Sequence, residues 1–113
     1  TGWPFERGAH NNIMNFQMRR GMGPDEWLDI IDTKALPAFE KFEPEFLLIS
    51  TGFDTHHKDP LGGQLLESGT FGVMTDRVKH LANGRVVSTL EGGYNADALG
   101  ESCVAHFRAL QSE

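Results

Sequence analysis

The stretch FLLIS, Phe46–Ser50, stays apolar until its final serine. A strand with one face in water alternates between apolar and polar residues. A continuous run of this length suits a strand buried on both faces, as in a parallel sheet. A second run, RVVSTL at Arg85–Leu90, reads as the next strand. Between them Phe71, Met74, Val78 and Leu81 recur at helical spacing. That pattern predicts a helix over 70–82, stopped by Asn83–Gly84. Parallel neighbours need such a crossover. We therefore expect the two runs to be adjacent, parallel strands.

The flanking segments extend the alternation. GPDEWLDIIDTKALPAFEKFEP reads as a helix. Its first turn is acidic, which suits the helix dipole. Trp27, Ile30, Ile31, Ala35, Ala38, Phe39 and Phe42 return at steps of three and four. Pro37 should bend or break this helix, and Pro44 should end it. After Leu90 comes the glycine loop EGGYN. Asn95 can cap a last helix that carries Leu99, Cys103, Phe107 and Leu110 on one stripe. Residues 1–23 are rich in glycine and polar side chains and lack a helical period. Within them NIMNFQMR alternates, placing Met14, Phe16 and Met18 opposite Asn15 and Gln17, so it reads as a strand or extended segment. The order of elements predicts an α/β fold with parallel strands. In such sheets ligands bind beyond the carboxyl ends of the strands. Two loops leave strands at that end, one within LISTGFDTHHKDPLGG (Leu48–Gly63) and the other at Glu91–Asn95.

With 113 residues the chain is one domain at most, and 39% hydrophobic residues can supply a core. Ten basic against 16 acidic residues give a net charge of −6, which argues against a broad basic surface for nucleic acid. No stretch approaches the ~20 apolar residues of a membrane span, so no membrane partner is expected. No signal peptide opens the chain. The single cysteine, Cys103, cannot form an internal disulfide and suits a small core position, which fits a reducing cytoplasm.

Asp54 stands at the mouth of the first strand. A carboxylate there can ligate zinc or cap a turn. His56 and His57 are adjacent and on an extended chain would point apart, which suits surface or hydrogen-bonding roles. Asp59 precedes a proline and suits a loop brace that accepts backbone N–H groups. Gly92 and Gly93 allow close approach of the backbone to a ligand. Tyr94, the one tyrosine, could donate a hydrogen bond to a developing oxyanion or simply pack in a tight turn.

Taken together, LLISTGFDTHHKDPLGG and the later EGGYN resemble the zinc-dependent histone deacetylase family. That family includes acetylpolyamine amidohydrolases and acetoin-utilization proteins. The resemblance runs from about Asn12 to Leu110, and its glycine-rich second motif is closer to the class II and bacterial branches. It implies an arginase-like three-layer α/β/α fold. It also implies hydrolysis of an acetyl-amide on lysine or a polyamine, with zinc polarising the carbonyl and activating water. By position, Asp54 matches a zinc-binding aspartate and Tyr94 the tyrosine that stabilises the oxyanion. Leu61 matches a tunnel-wall residue that flanks the acyl chain. Gly92 and Gly93 match the glycines of the tunnel floor.

The departures are equally informative. The family's other zinc ligands lie in an Asp-x-His motif, and its general base lies in a His-His pair further upstream. Neither precedes Asp54 here, and DTH and HH at 54–57 fall in the wrong motif. The resemblance therefore implies the C-terminal part of a deacetylase domain, inactive alone and not holding zinc by itself. Residues 1–23 would be loop and extended segment, and 24–113 the strand and helix units. A second chain or a homo-oligomer could cover exposed sheet edges. A competing expectation is a non-enzymatic remnant of the fold that serves oligomerisation or partner binding. A third is a separate structural metal site built from DTHH and His10.

Overall fold

The computed structural model describes residues 2–113. Strands β1 (Leu47–Thr51) and β2 (Val86–Leu90) pair in parallel, from Leu47 opposite Val86 to Thr51 opposite Leu90. The expected adjacency and direction hold, and each strand starts one residue later than expected. Helix α3 (Ser68–Val78) lies between them in the chain, shifted from the expected 70–82. The chain then turns through Asn83 and Gly84, both left-handed, with φ of 53° and 77°.

Helix α4 (Ala96–Gln111) packs against α3, and both lie on one face of the sheet. On that face Ile49 and Thr51 line one cavity with Phe71, Met74, Thr75, Val78 and His106. The opposite face is bare, with Leu48 74% and Val87 51% exposed. The expected burial on both faces is thus corrected. The apolar run supplies two apolar faces, but the helices of this chain cover only one. Below the sheet Phe53, Leu66 and Phe71 form the core, with Trp27, Met74, Leu99 and Cys103 packed against it. Phe53 and Phe71 meet edge to face at 5.0 Å, the favoured geometry for aromatic pairs.

The expected long helix is divided. Helix α1 (Pro24–Ile30) leads into a π-helical segment, Ile31–Ala35, and then α2 (Leu36–Phe42). Within a regular α-helix Pro37 would press its ring against the carbonyl of Thr33. The π segment widens the turn just before it, and Leu36 N–H donates to Ile31 O, five residues back. The wider turn shifts the phase of everything after it. Phe42, expected inward, is 73% exposed. The helix stops at Glu43, in left-handed conformation, one residue before Pro44.

NIMNFQMR forms no strand. Its residues run without regular structure, and Met14 and Phe16 are exposed. A period of two is not enough for a strand when no neighbouring strand offers a ladder. The segment is fastened at its end instead: Gly21 N–H donates to Gly63 O at 2.8 Å and Leu65 N–H to Met22 O at 2.8 Å.

Asn95 caps α4 as expected, its side-chain oxygen accepting Ala98 N–H at 3.0 Å. The inward stripe differs. Ala98, Ser102, His106 and Ala109 are buried, Leu99 and Cys103 flank them, and Phe107 is 57% exposed. Close approach of the two helices is the reason. A Cβ on Gly72 of α3 would lie 3.1 Å from the carbonyl oxygen of Ala105 on α4, so the two helices approach closely there. At the far end the buried Lys79 ammonium donates to Ala109 O (2.7 Å) and to Ser112 O (2.8 Å), closing off the C-terminus of α4.

Candidate functional site

Both loops leave the sheet at its carboxyl end and are stitched together there. Glu91 N–H donates to Thr51 O at 3.0 Å, and Phe53 N–H to Gly92 O at 2.8 Å. The parallel ladder thus continues one step past the strands and brings Asp54 beside Gly92.

The Asp54 carboxylate sits in a cradle of glycines. A Cβ on Gly52 would lie 2.8 Å from Asp54 Oδ1, and one on Gly92 would lie 2.9 Å from its Cγ. Larger residues at either position would displace the carboxylate. Gly62 serves the backbone: any Cβ there would collide with the Asp54 carbonyl. Among the described residues no side-chain hydrogen bond of the loop ends on the Asp54 carboxylate, unlike those of Asp59. The turn-cap role is therefore not adopted, and the carboxylate is free to meet a ligand.

Asp59 is the brace. Its Oδ1 accepts Leu61 N–H (2.8 Å) and Gly62 N–H (3.1 Å), and its Oδ2 accepts Tyr94 N–H (2.8 Å). Partial burial pushes its pKa up, but the three N–H donors outweigh this and hold the carboxyl below its ordinary range.

Tyr94 is 60% exposed, so its side chain projects outward from the loop. Gly93 turns the backbone behind it at φ 136°, and a Cβ there would meet Leu99 Cδ1 at 2.9 Å. Leu61 is also exposed.

The two adjacent histidines do not point apart. A tight turn stacks their rings at 4.5 Å. His56 is nevertheless committed to structure. Its Nδ1 accepts Lys58 N–H at 3.0 Å, so the proton sits on Nε2, which donates to Ser68 Oγ at 3.1 Å. Ser68 Oγ donates in turn to Glu101 Oε2 at 3.0 Å. Burial, followed by the charges of His57 and Lys58, lowers the His56 pKa and keeps it neutral. His10 lies in an exposed N-terminal turn. The separate DTHH–His10 metal site is therefore not formed. Among the described residues no group of three His, Cys, Asp or Glu side chains is arranged to hold a metal ion. A catalytic zinc needs about three protein ligands.

Sequence reasoning missed His106. It lies buried between α4, α3 and the sheet. Thr75 Oγ1 donates to Phe71 O at 2.6 Å, so His106 Nδ1 donates to Thr75 Oγ1 at 2.6 Å. His106 Nε2 then accepts from Ser88 Oγ at 2.8 Å, and Ser88 is joined to Thr51. No motif marks this residue; its one signal is a polar side chain four residues after Ser102 on the small-residue face. Burial lowers its pKa from the ordinary 6.5. A histidine whose folded pKa is depressed contributes stability that is present above 6.5 and lost as pH falls through the folded value. Unfolding free energy should therefore decrease from about pH 7.5 to 5.5, with this residue contributing at most about 1.4 kcal/mol per pH unit. Denaturant unfolding across that range tests it. The slope should flatten in His106→Gln, and an unchanged slope would remove His106 from the account.

The histone deacetylase domain family matches residues 1–110. Histone deacetylase 10, chloroplastic, of Oryza sativa subsp. japonica is 36% identical over 93% of this chain and 25% of its own length. The uncharacterized protein slr0245 of Synechocystis is 32% identical over 97% of this chain and 36% of its own length. Among solved structures, the histone deacetylase Clr3 superposes with a TM-score of 0.79 at 33% identity, covering 81% of this chain and 16% of that one. The chain thus spans about a quarter to a third of the first two relatives. By sequence and by fold, it belongs to the histone deacetylase family.

Proposed function

We propose that this chain supplies the C-terminal part of a zinc-dependent deacetylase centre that hydrolyses an acetyl-amide of lysine or a polyamine. The observation that carries the reading is the open Asp54 carboxylate in its glycine cradle, with the Tyr94 loop laced to it by Phe53–Gly92 and Asp59–Tyr94. Asp54 would be one zinc ligand, and the others would come from outside these residues, on the same polypeptide or a second one. Zinc, when bound, supplies Lewis acidity toward the carbonyl and lowers the pKa of water. The Tyr94 hydroxyl donates to the carbonyl oxygen as negative charge builds there. Leu61, Gly92 and Gly93 flank the acyl chain. No side chain described here is placed to take the proton from water, so the general base also comes from elsewhere.

The 113 residues alone should therefore not deacetylate an acetyl-lysine peptide in the presence of zinc. They should also bind less than one equivalent of the metal. Chelator-sensitive turnover by the purified chain would overturn the reading. Turnover that appears only when the upstream part of a related deacetylase domain is supplied would support it.

A further inference from the structure

Asp59 touches three backbone amides, and they belong to two different loops. Leu61 and Gly62 lie just ahead of it, whereas Tyr94 is 35 positions away. We infer that Asp59 is a positioning residue for the reaction, one carboxylate that sets the Tyr94 donor and the Leu61 wall at a fixed separation. The inference rests on the deacetylase reading above.

Three features of the geometry support this. First, the carboxylate divides its oxygens, Oδ1 toward its own loop and Oδ2 toward the other. Neither neutral nor amide side chains can reproduce that, because all three partners are donors. Second, the Tyr94 loop has few other anchors on that side. The ladder bonds end at Gly92, and Gly93, at φ 136°, stands between them and Tyr94. Among the described residues the Tyr94 amide has Asp59 as its hydrogen-bond partner, so without Asp59 it would be held only by its chain neighbours. Third, the role demanded of Tyr94 is exacting. A donor works only when it is set at hydrogen-bond distance from where the oxyanion develops, and a misplacement of about 1 Å can cost a hundredfold.

The experiment is a double-mutant cycle in the complete, zinc-loaded deacetylase domain, with Asp59→Asn, Tyr94→Phe and both together. Asn keeps the shape and the Oδ1 acceptor but turns an N–H group toward the Tyr94 amide. Asp59→Asn should lower kcat roughly 10- to 100-fold, the usual range for residues that orient catalytic groups, with zinc content unchanged and KM moved much less. In the Tyr94→Phe background the same change should cost far less, because the hydroxyl it places is already gone. Fully additive losses, or no loss in kcat, would overturn the inference while leaving the deacetylase reading intact. Normal turnover by Tyr94→Phe alone would overturn both. If Asp59→Asn does not fold, hydrogen exchange at the Tyr94 amide of the unmodified protein decides. Exchange slowed about tenfold or more supports the bond, and exchange at the free-chain rate overturns it.

Discussion

Asp54→Ala in the complete deacetylase domain is expected to lose zinc, and turnover with it. Structural zinc sites bind with roughly 10–16 kcal/mol. Spread over four ligands that is about 2.5–4 kcal/mol each, or roughly 10²–10³-fold in affinity. At ordinary zinc concentrations two remaining protein ligands would hold the ion weakly. The fold itself should tolerate the change. The loop's bonds run to Asp59, His56 and the backbone rather than to the Asp54 carboxylate, and alanine fits the space. The expected signature is thus an unaltered unfolding midpoint in chelator together with a large loss of metal. Metal analysis after dialysis checks it. Full zinc retention would remove Asp54 from the ligand set.

Tyr94→Phe should fail in the opposite manner. Its hydroxyl is exposed and makes no described bond that holds the loop, since the loop is anchored through the Tyr94 amide. Phenylalanine keeps that amide and the ring. Zinc and substrate binding should survive, while kcat falls about 10²–10³-fold, or roughly 2.7–4 kcal/mol of transition-state stabilisation. An interaction made only as charge develops lowers kcat and leaves KM nearly unchanged. Steady-state kinetics beside metal content separates this variant from Asp54→Ala. A normal kcat would show that the oxyanion is held by another group.

What could be read from the chain was local. FLLIS and RVVSTL identified two strands, and the helical spacing between them identified their parallel pairing, because each signal lies within a few residues. Which face is covered could not be read, since a five-residue apolar run is the same whether one layer or two packs on it. Pro37 signalled an irregular helix, but the phase shift that exposes Phe42 follows from a π turn that leaves no hydrophobic mark. On α4 the counting of large apolar residues chose Phe107, whereas close helix packing selects small ones, Ala98, Ser102 and Ala109. At the site Asp59 was legible as a loop brace from its neighbours. Its bond to Tyr94 was not, because two loops far apart in sequence meet only once the strands pair. The roles given to Asp54 and Tyr94 come from family resemblance, and the geometry adds the glycine cradle that the motif implies only as letters.

The bare face of the sheet has a colloidal consequence. Leu48 and Val87 stand side by side on it, both exposed. Such surfaces attract one another in water, and a net charge of −6 opposes this only beyond contact range and only at low salt. Solubility of these 113 residues should therefore fall steeply as ionic strength rises. Light scattering would register the mutual attraction before any precipitate forms.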